Sequence, residues 1–216
     1  MTRLWRSSVR FGFRLLYHEF AFSYDLVSWV ASMGAWRCWV ESSLRHLPPG
    51  SPVLELAHGP GHLQAALMAR SVRAYGIDLS PQMGEQARER LLMKGFPARL
   101  ARARAQELPY PANTFAAVIS TFPTEFIADP ATLSEVRRVL RPGAPLIVVP
   151  TATFTSGGAG KTALGWAYRA TGQHDAAPGR HDRIAALFEP HGFTVEIFEE
   201  PCPRSLALVV VARKSP

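Results

Sequence analysis

The chain has 216 residues, with 24 Lys and Arg against 17 Asp and Glu, for a net charge of +7. Its 47% hydrophobic and 19% charged content suits one globular domain with an elaboration and excludes a disordered chain. No apolar run reaches the length of a membrane span, while the positive balance admits an anionic partner or, equally, a general preference for arginine.

Arg3, Arg6, Arg10 and Arg14 recur at three- and four-residue steps, a basic stripe on a helix whose other sides carry Trp5, Phe11, Phe13, Leu15 and Leu16. Such a helix can lie in a membrane interface or pack over a ligand cleft, and Gly12 favours the packed form by weakening a free-standing amphipath. It is not a secretory signal, since no small-residue cleavage site follows a clean apolar core. A second helical region spans 22–46 with a break at Ser32-Met33-Gly34. Cys38 and Cys202 match no metal or redox spacing, so they read as thiols in a reducing cytosol, Cys38 as a small core residue. Leu47-Pro48-Pro49-Gly50-Ser51-Pro52 breaks the chain before the first strand.

That strand, Val53-Leu54-Glu55-Leu56, runs into the turn Ala57-His58-Gly59-Pro60-Gly61 and then a helix through Leu63 and Leu67. A glycine turn between strand and helix presents backbone N–H groups to a ligand, and the missing Cβ lets the ligand come close. Glu55 within the strand needs a partner, because burying a carboxylate is costly. A second strand, 72–77, ends on Asp78, where doubly wound domains hold a ribose by its hydroxyls. Gln64 stands where a dinucleotide fingerprint needs its third glycine, and no lysine completes a phosphate loop.

Ser80 caps a helix with Pro81 at its first position and Gly95 at its stop. A short third strand covers 98–103 and is followed by Arg104-Ala105-Gln106-Glu107-Leu108-Pro109. A fourth strand, 114–120, leads into Thr121-Phe122-Pro123; a helix over 131–140 closes at Arg141-Pro142-Gly143, and a fifth strand covers 145–149. Residues 151–180 are expected to form a substrate-side lid with a helix at 162–171. Gly158 to Thr162 is not a phosphate loop, because Thr155 occupies the first glycine position. A last helix, 181–188, precedes two strands, 193–198 and 206–211.

The pattern Glu55, Ala57, Gly59, Gly61 with Asp78 resembles motif I and the ribose-binding acid of the class I S-adenosylmethionine-dependent methyltransferases; glycine is usual where Ala57 stands. Tyr24-Asp25-Leu26 and the stretch from Ser32 to Trp39 resemble the cofactor-capping segment of the UbiE-like group of that family. The resemblance implies an α/β, doubly wound, seven-stranded and mostly parallel sheet, the Rossmann-like methyltransferase fold, with residues 1–46 as a helical cap and 47–216 as the cofactor domain. It implies S-adenosyl-L-methionine as cofactor, S-adenosylhomocysteine as product, and Glu55, Ala57, His58, Gly59, Gly61, Asp78, Leu79, Met83, Ala105, Gln106, Thr121 and Phe122 around the cofactor. The family usually has an acid, holding the adenine amino group, where this chain has Arg104; a guanidinium cannot accept a hydrogen bond, so adenine would be read by the backbone of Ala105 and Gln106 or by the Gln106 side chain.

A carbon or oxygen acceptor would want a base near the methyl group, and His58, His18, Tyr24 and Glu125 are the candidates. No metal is expected. The segment after the fourth strand is not the Asn-Pro-Pro-Tyr type that holds a planar nitrogen, which disfavours amino-group methylation. The expected acceptor is a small apolar or aromatic molecule, quinol- or lipid-like, met in the cytoplasm with peripheral membrane contact through residues 1–20. The alternatives are an RNA methyltransferase, for which no RNA-binding module is present, and a catalytically degenerate cofactor-binding protein.

Overall fold

The computed structural model describes residues 32–155 and 180–215. The helices expected over 1–20 and 162–171, the candidates His18 and Tyr24, and most of the expected lid lie outside the described residues. In chain order the elements are α1 (Trp36–Ser42), β1 (Val53–Leu56), α2 (His62–Ala69), β2 (Ala74–Asp78), α3 (Pro81–Met93), β3 (Leu100–Arg102), β4 (Ala117–Thr121), α4 (Pro130–Val139), β5 (Pro145–Phe154), α5 (Arg180–Phe188), β6 (Phe193–Cys202) and β7 (Ser205–Lys214).

The seven strands form one sheet in the order β3-β2-β1-β4-β5-β7-β6. The first five are mutually parallel and β7 runs antiparallel to both β5 and β6. Parallel strands are buried on both faces, which is why Val53 to Leu56 is buried throughout. Alternate side chains feed two separate cores. Val53, Ile119, Ile147 and Val211 pack with α1 and α2 on one face, and Leu54, Leu56, Val118 and Leu146 pack with α4 and Phe188 of α5 on the other.

Helix starts follow local chemistry. Ser80 Oγ accepts the Met83 N–H to cap α3, with Pro81 at the first position. Asp129 Oδ1 accepts the Ala131 N–H to cap α4 before Pro130.

Two expectations need correction. β5 continues to Phe154 because β7 pairs with it as far as Ser205, so residues 151–154 belong to the sheet and not to a lid. The terminal hairpin is likewise longer than its apolar runs, with β6 and β7 in register from Phe193–Lys214 to Cys202–Ser205 around a turn at Pro203-Arg204, where Arg204 takes φ 57°. Pairing with an apolar neighbour supplies the hydrogen bonds that the polar stretch Glu199-Glu200-Pro201 did not advertise.

The cysteines also depart from expectation. Cys38 and Cys202 form a disulfide, S–S 2.01 Å, that ties α1 to the end of β6. Their separation of 164 residues hid the pairing, since proximity here is created by the whole sheet. Trp39, next to Cys38, is fully buried and donates its indole N–H to Ser205 Oγ at 2.8 Å. Glu200 accepts from Arg45 and from His46, the latter at 2.7 Å; burial alone would raise its pKa, but these bonds hold it below the usual carboxylate range.

Candidate functional site

The strand order reverses between β1 and β4, the place where doubly wound sheets bind ligands outside their carboxyl ends. There Ser120 Oγ of β4 donates to Leu56 O of β1 at 3.2 Å, and a cavity of about 380 Å³ opens above. Its floor is the turn from Ala57 to Pro60, its rim Asp78 to Ser80 and Ala103 to Gln106, and its far wall Thr121 to Thr124 with Phe126.

The turn forms although alanine stands where glycine is usual. Ala57 adopts φ 53°, and a left-handed alanine costs about 1 kcal/mol more than a glycine would. Gly59, at φ 52°, has no atom within 4 Å of where a Cβ would stand, so this backbone faces open cavity. Gly61 does a different job. It is the left-handed cap of α2, and a Cβ there would meet the Ala87 Cβ of α3 at 2.8 Å. Neither Gly61 nor Met83 lines the cavity; Met83 is fully buried beneath the start of α3.

Asp78 sits at the tip of β2 with Oδ2 accepting the Gly59 N–H at 2.9 Å and Oδ1 accepting the Ser80 N–H at 2.8 Å. One carboxylate thereby joins the glycine turn to the start of α3. Each oxygen can accept a further hydrogen bond.

Glu55 lines the same cavity and is 2% exposed. Its partner is Gln64, the residue that displaces the third glycine: Gln64 Nε2 donates to Glu55 Oε2 at 2.8 Å and to Tyr75 O at 3.1 Å. Burial pushes the Glu55 pKa up to about 8; the Gln64 bond pulls the other way and the Asp78 charge adds to the rise. At neutral pH the acid is therefore mostly protonated.

His58 is buried, its Nδ1 2.7 Å from Gly59 O. Burial lowers its pKa more than the Asp78 charge and the backbone bonds raise it, leaving a neutral imidazole that lines the cavity. Glu125 is not among the lining residues, although Thr124 and Phe126 on either side of it are.

At the other end, Ala105, Gln106 and Arg104 line the rim as the sequence suggests. Gln106 Nε2 donates to Asp129 Oδ2 at 2.9 Å, so one of its two N–H donors is committed to the α4 cap, and the other N–H and the carbonyl remain. Leu79 is 59% exposed beside the cavity, an apolar surface suited to the face of a base.

Trp36 and Val40 of α1 also line the cavity; Trp36 lies in the stretch that resembles the cofactor-capping segment but neither was among the expected site residues. Trp36 stacks on Phe122 with centroids 4.5 Å apart, and Phe122 holds φ 49° directly after β4. The aromatic content of 32–39 was visible; the contact with a residue 86 positions later was not. Among the described residues no group of three or more His, Cys, Asp or Glu is placed to hold a metal ion, and no helix is long and apolar enough to cross a membrane.

A family model described as "Methyltransferase domain" matches residues 53–143, which contain the turn, Asp78 and β4. Residues 53–143 are thus similar to methyltransferase domains. The chain is similar to two quinone-pathway enzymes: over 142 residues it is 34% identical to a demethylmenaquinone methyltransferase of Symbiobacterium thermophilum, and over 143 residues 36% identical to a ubiquinone/menaquinone biosynthesis C-methyltransferase of Teredinibacter turnerae. Each match covers 62% of this chain and 57% of the relative, so the likeness spans little more than half of those proteins. The fold is shared with a S-adenosylmethionine-dependent methyltransferase of Thermotoga maritima (TM-score 0.61, 17% identity, 91% of this chain and 97% of that one). It is also shared with a geranyl diphosphate C-methyltransferase of Streptomyces coelicolor A3(2) (TM-score 0.61, 12% identity, 82% and 78%).

Proposed function

We propose that the chain is a methyltransferase that takes S-adenosyl-L-methionine as donor and a small apolar or aromatic acceptor, quinol-like, methylated at carbon or oxygen. The observation that carries this reading is Asp78, a carboxylate fixed by two backbone amides at the switch-point cavity with acceptor capacity left for a pair of ribose hydroxyls. Gly59 offers bare backbone to the methionine part, Leu79 and Ala105 flank the base, and Thr121 and Phe122 stand on the methyl side. The acceptor class rests on the aromatic wall of Trp36, Phe122 and Phe126 and on the quinone-pathway names of the relatives.

The bound donor supplies an electrophilic methyl group on a sulfonium. The chain's residues bind and orient: Asp78 fixes the sugar, Glu55 lies beneath the methionine side, and the aromatic wall excludes water around the acceptor. His58 is the described base candidate among the lining residues, and as a neutral imidazole it can accept a proton from an acceptor hydroxyl or acidic carbon. In this reading residues 1–46 cap a cofactor domain of 47–216, the segment after Phe154 covers the acceptor, and the basic stripe of 1–20 brings the chain to the cytoplasmic face of a membrane. Deleting 1–20 should then abolish co-sedimentation with anionic vesicles; retention of the truncated chain on vesicles would sink that part.

The function is tested by calorimetric titration of the full chain with S-adenosylmethionine and S-adenosylhomocysteine, with NAD as control. Micromolar binding is expected, weakened tenfold or more in Asp78→Ala, about 1.4 kcal/mol or above. A folded chain that binds neither nucleoside would overturn the reading.

A further inference from the structure

We propose that the groove between α1, α2 and the end of α3 is a second binding site, one that takes a single-chain anionic lipid with a carboxylate head. The groove encloses about 690 Å³, within the ~300–1,000 Å³ usual for small-molecule pockets. It is separate from the cofactor cavity, although Trp36, Val40 and His62 line both. Its apolar lining follows from the sequence of α2. His62, Ala65, Ala66 and Ala69 recur at helical spacing along one side of that helix, and from His62 to Ala69 this side runs about 10 Å. The three alanines leave open a space that larger side chains would have closed. Trp36 and Val40 of α1 and Phe96, just beyond α3, supply the rest of the apolar surface. A hydrocarbon chain suits such a lining, because each methylene buried there leaves water.

The charges of the lining call for an anion. Arg37, Arg90 and Lys94 stand against one carboxylate, Glu41, among the described residues that line the groove. Glu41 is spent on Arg37, at 2.6 Å, and the Arg90 guanidinium donates to Pro60 O. The Lys94 ammonium has no partner among the described residues, at the C-cap of α3 beside Phe96 in the chain. An apolar groove with an unmatched cation is completed by a ligand that carries its negative charge on an apolar chain. Exposed apolar side chains next to the lining residues indicate a lipid and not a water-soluble acid. Leu92 and Met93, directly before Lys94, are 55% and 82% exposed, and Met33, directly before Gly34 of the lining, is 52% exposed. Large apolar groups left in water beside basic ones mark a surface that meets an anionic, apolar phase. The site stands on its own lining and does not depend on the proposed function.

The test titrates the full chain with decanoate below its micelle concentration, with decanol as the uncharged chain of equal length, by calorimetry at neutral pH. Decanoate should bind at one site with submillimolar affinity and more tightly than decanol. Lys94→Gln, at an exposed position that the fold does not use, should weaken decanoate about threefold, the size of a favourable surface ion pair, and leave decanol unchanged. Ala69→Trp, which fills the groove from an exposed position of α2, should abolish binding of both while thermal melting stays cooperative. No binding by the full chain, equal affinity for decanoate and decanol, or an Ala69→Trp variant that binds decanoate as the native chain does would each overturn the proposal. So would a Lys94→Gln variant with unchanged affinity for decanoate. Formation of methyl decanoate from a labelled methyl donor would overturn it as well, by making the groove part of the acceptor site.

Discussion

Glu55→Gln is expected to stabilise the folded chain above neutral pH, by on the order of 5 kcal/mol near pH 9. In the unfolded chain this carboxyl ionises near 4.5, whereas burial in β1 keeps it protonated to about 8. Between those values the folded state carries one proton more than the unfolded state, so each pH unit of increase costs about 1.4 kcal/mol of stability until the folded group itself ionises. Glutamine keeps the shape and the bond from Gln64 but cannot ionise, so it escapes that loss. Urea unfolding of both proteins at several pH values isolates the effect, because all other titrating groups cancel in the difference. The variant should match the native chain near pH 4.5 and pull ahead steadily to about pH 8. A constant difference across that range would mean that Glu55 is already ionised in the fold. The same protonation bears on the proposed donor: a sulfonium cation favours the carboxylate, so its binding should release a proton and tighten as pH rises toward 8.

Glu55 also shows how far the sequence could be read. A carboxylate inside an apolar strand announced that it needed a partner, and the glycine turn and Asp78 announced a nucleoside site, because these signals are local: strand, turn and capping chemistry within some twenty-five residues. The partner itself, Gln64, was legible only as the residue that spoils a dinucleotide fingerprint. Long-range pairing was less visible still. The extension of β5 and β6 beyond their apolar cores depends on β7 offering hydrogen bonds across the sheet. The Cys38–Cys202 bridge and the Trp36–Phe122 stack exist because the reversal of strand order brings α1 over β4 and β5 and beside the terminal hairpin. Composition carries no trace of such contacts. Arg104 is the reverse case, a departure plain in the sequence whose consequence lies in the fold: with a cation at the rim and one Gln106 N–H held by Asp129, the base edge is left to backbone groups and the rest of the Gln106 amide.

Gly61 and Gly84 yield the other large effect, as opposite outcomes of one chemical change. Gly61→Ala places a methyl group 2.8 Å from the Ala87 Cβ and 3.0 Å from its Cα, at a residue with φ 82°. The left-handed conformation costs an alanine about 1 kcal/mol and the overlap another 1–3 kcal/mol, since backbone of α3 and not a flexible side-chain tip must yield. A loss of about 2–4 kcal/mol corresponds to a fall in melting temperature on the order of 10 °C for a chain of this size. Gly84→Ala, within α3, meets nothing within 4 Å and takes ordinary helical geometry, so it should gain about 0.5–1 kcal/mol from the reduced freedom of the unfolded chain. The two variants differ in function as well. Pushing α3 away from α2 strains the turn that Asp78 holds through Gly59, so Gly61→Ala should weaken nucleoside binding even below its melting temperature, while Gly84→Ala should leave it unchanged. Thermal melts and titrations of the pair decide the matter: equal melting temperatures would mean that α2 and α3 can part at no cost, and that the glycine at the cap is not what holds the turn in place.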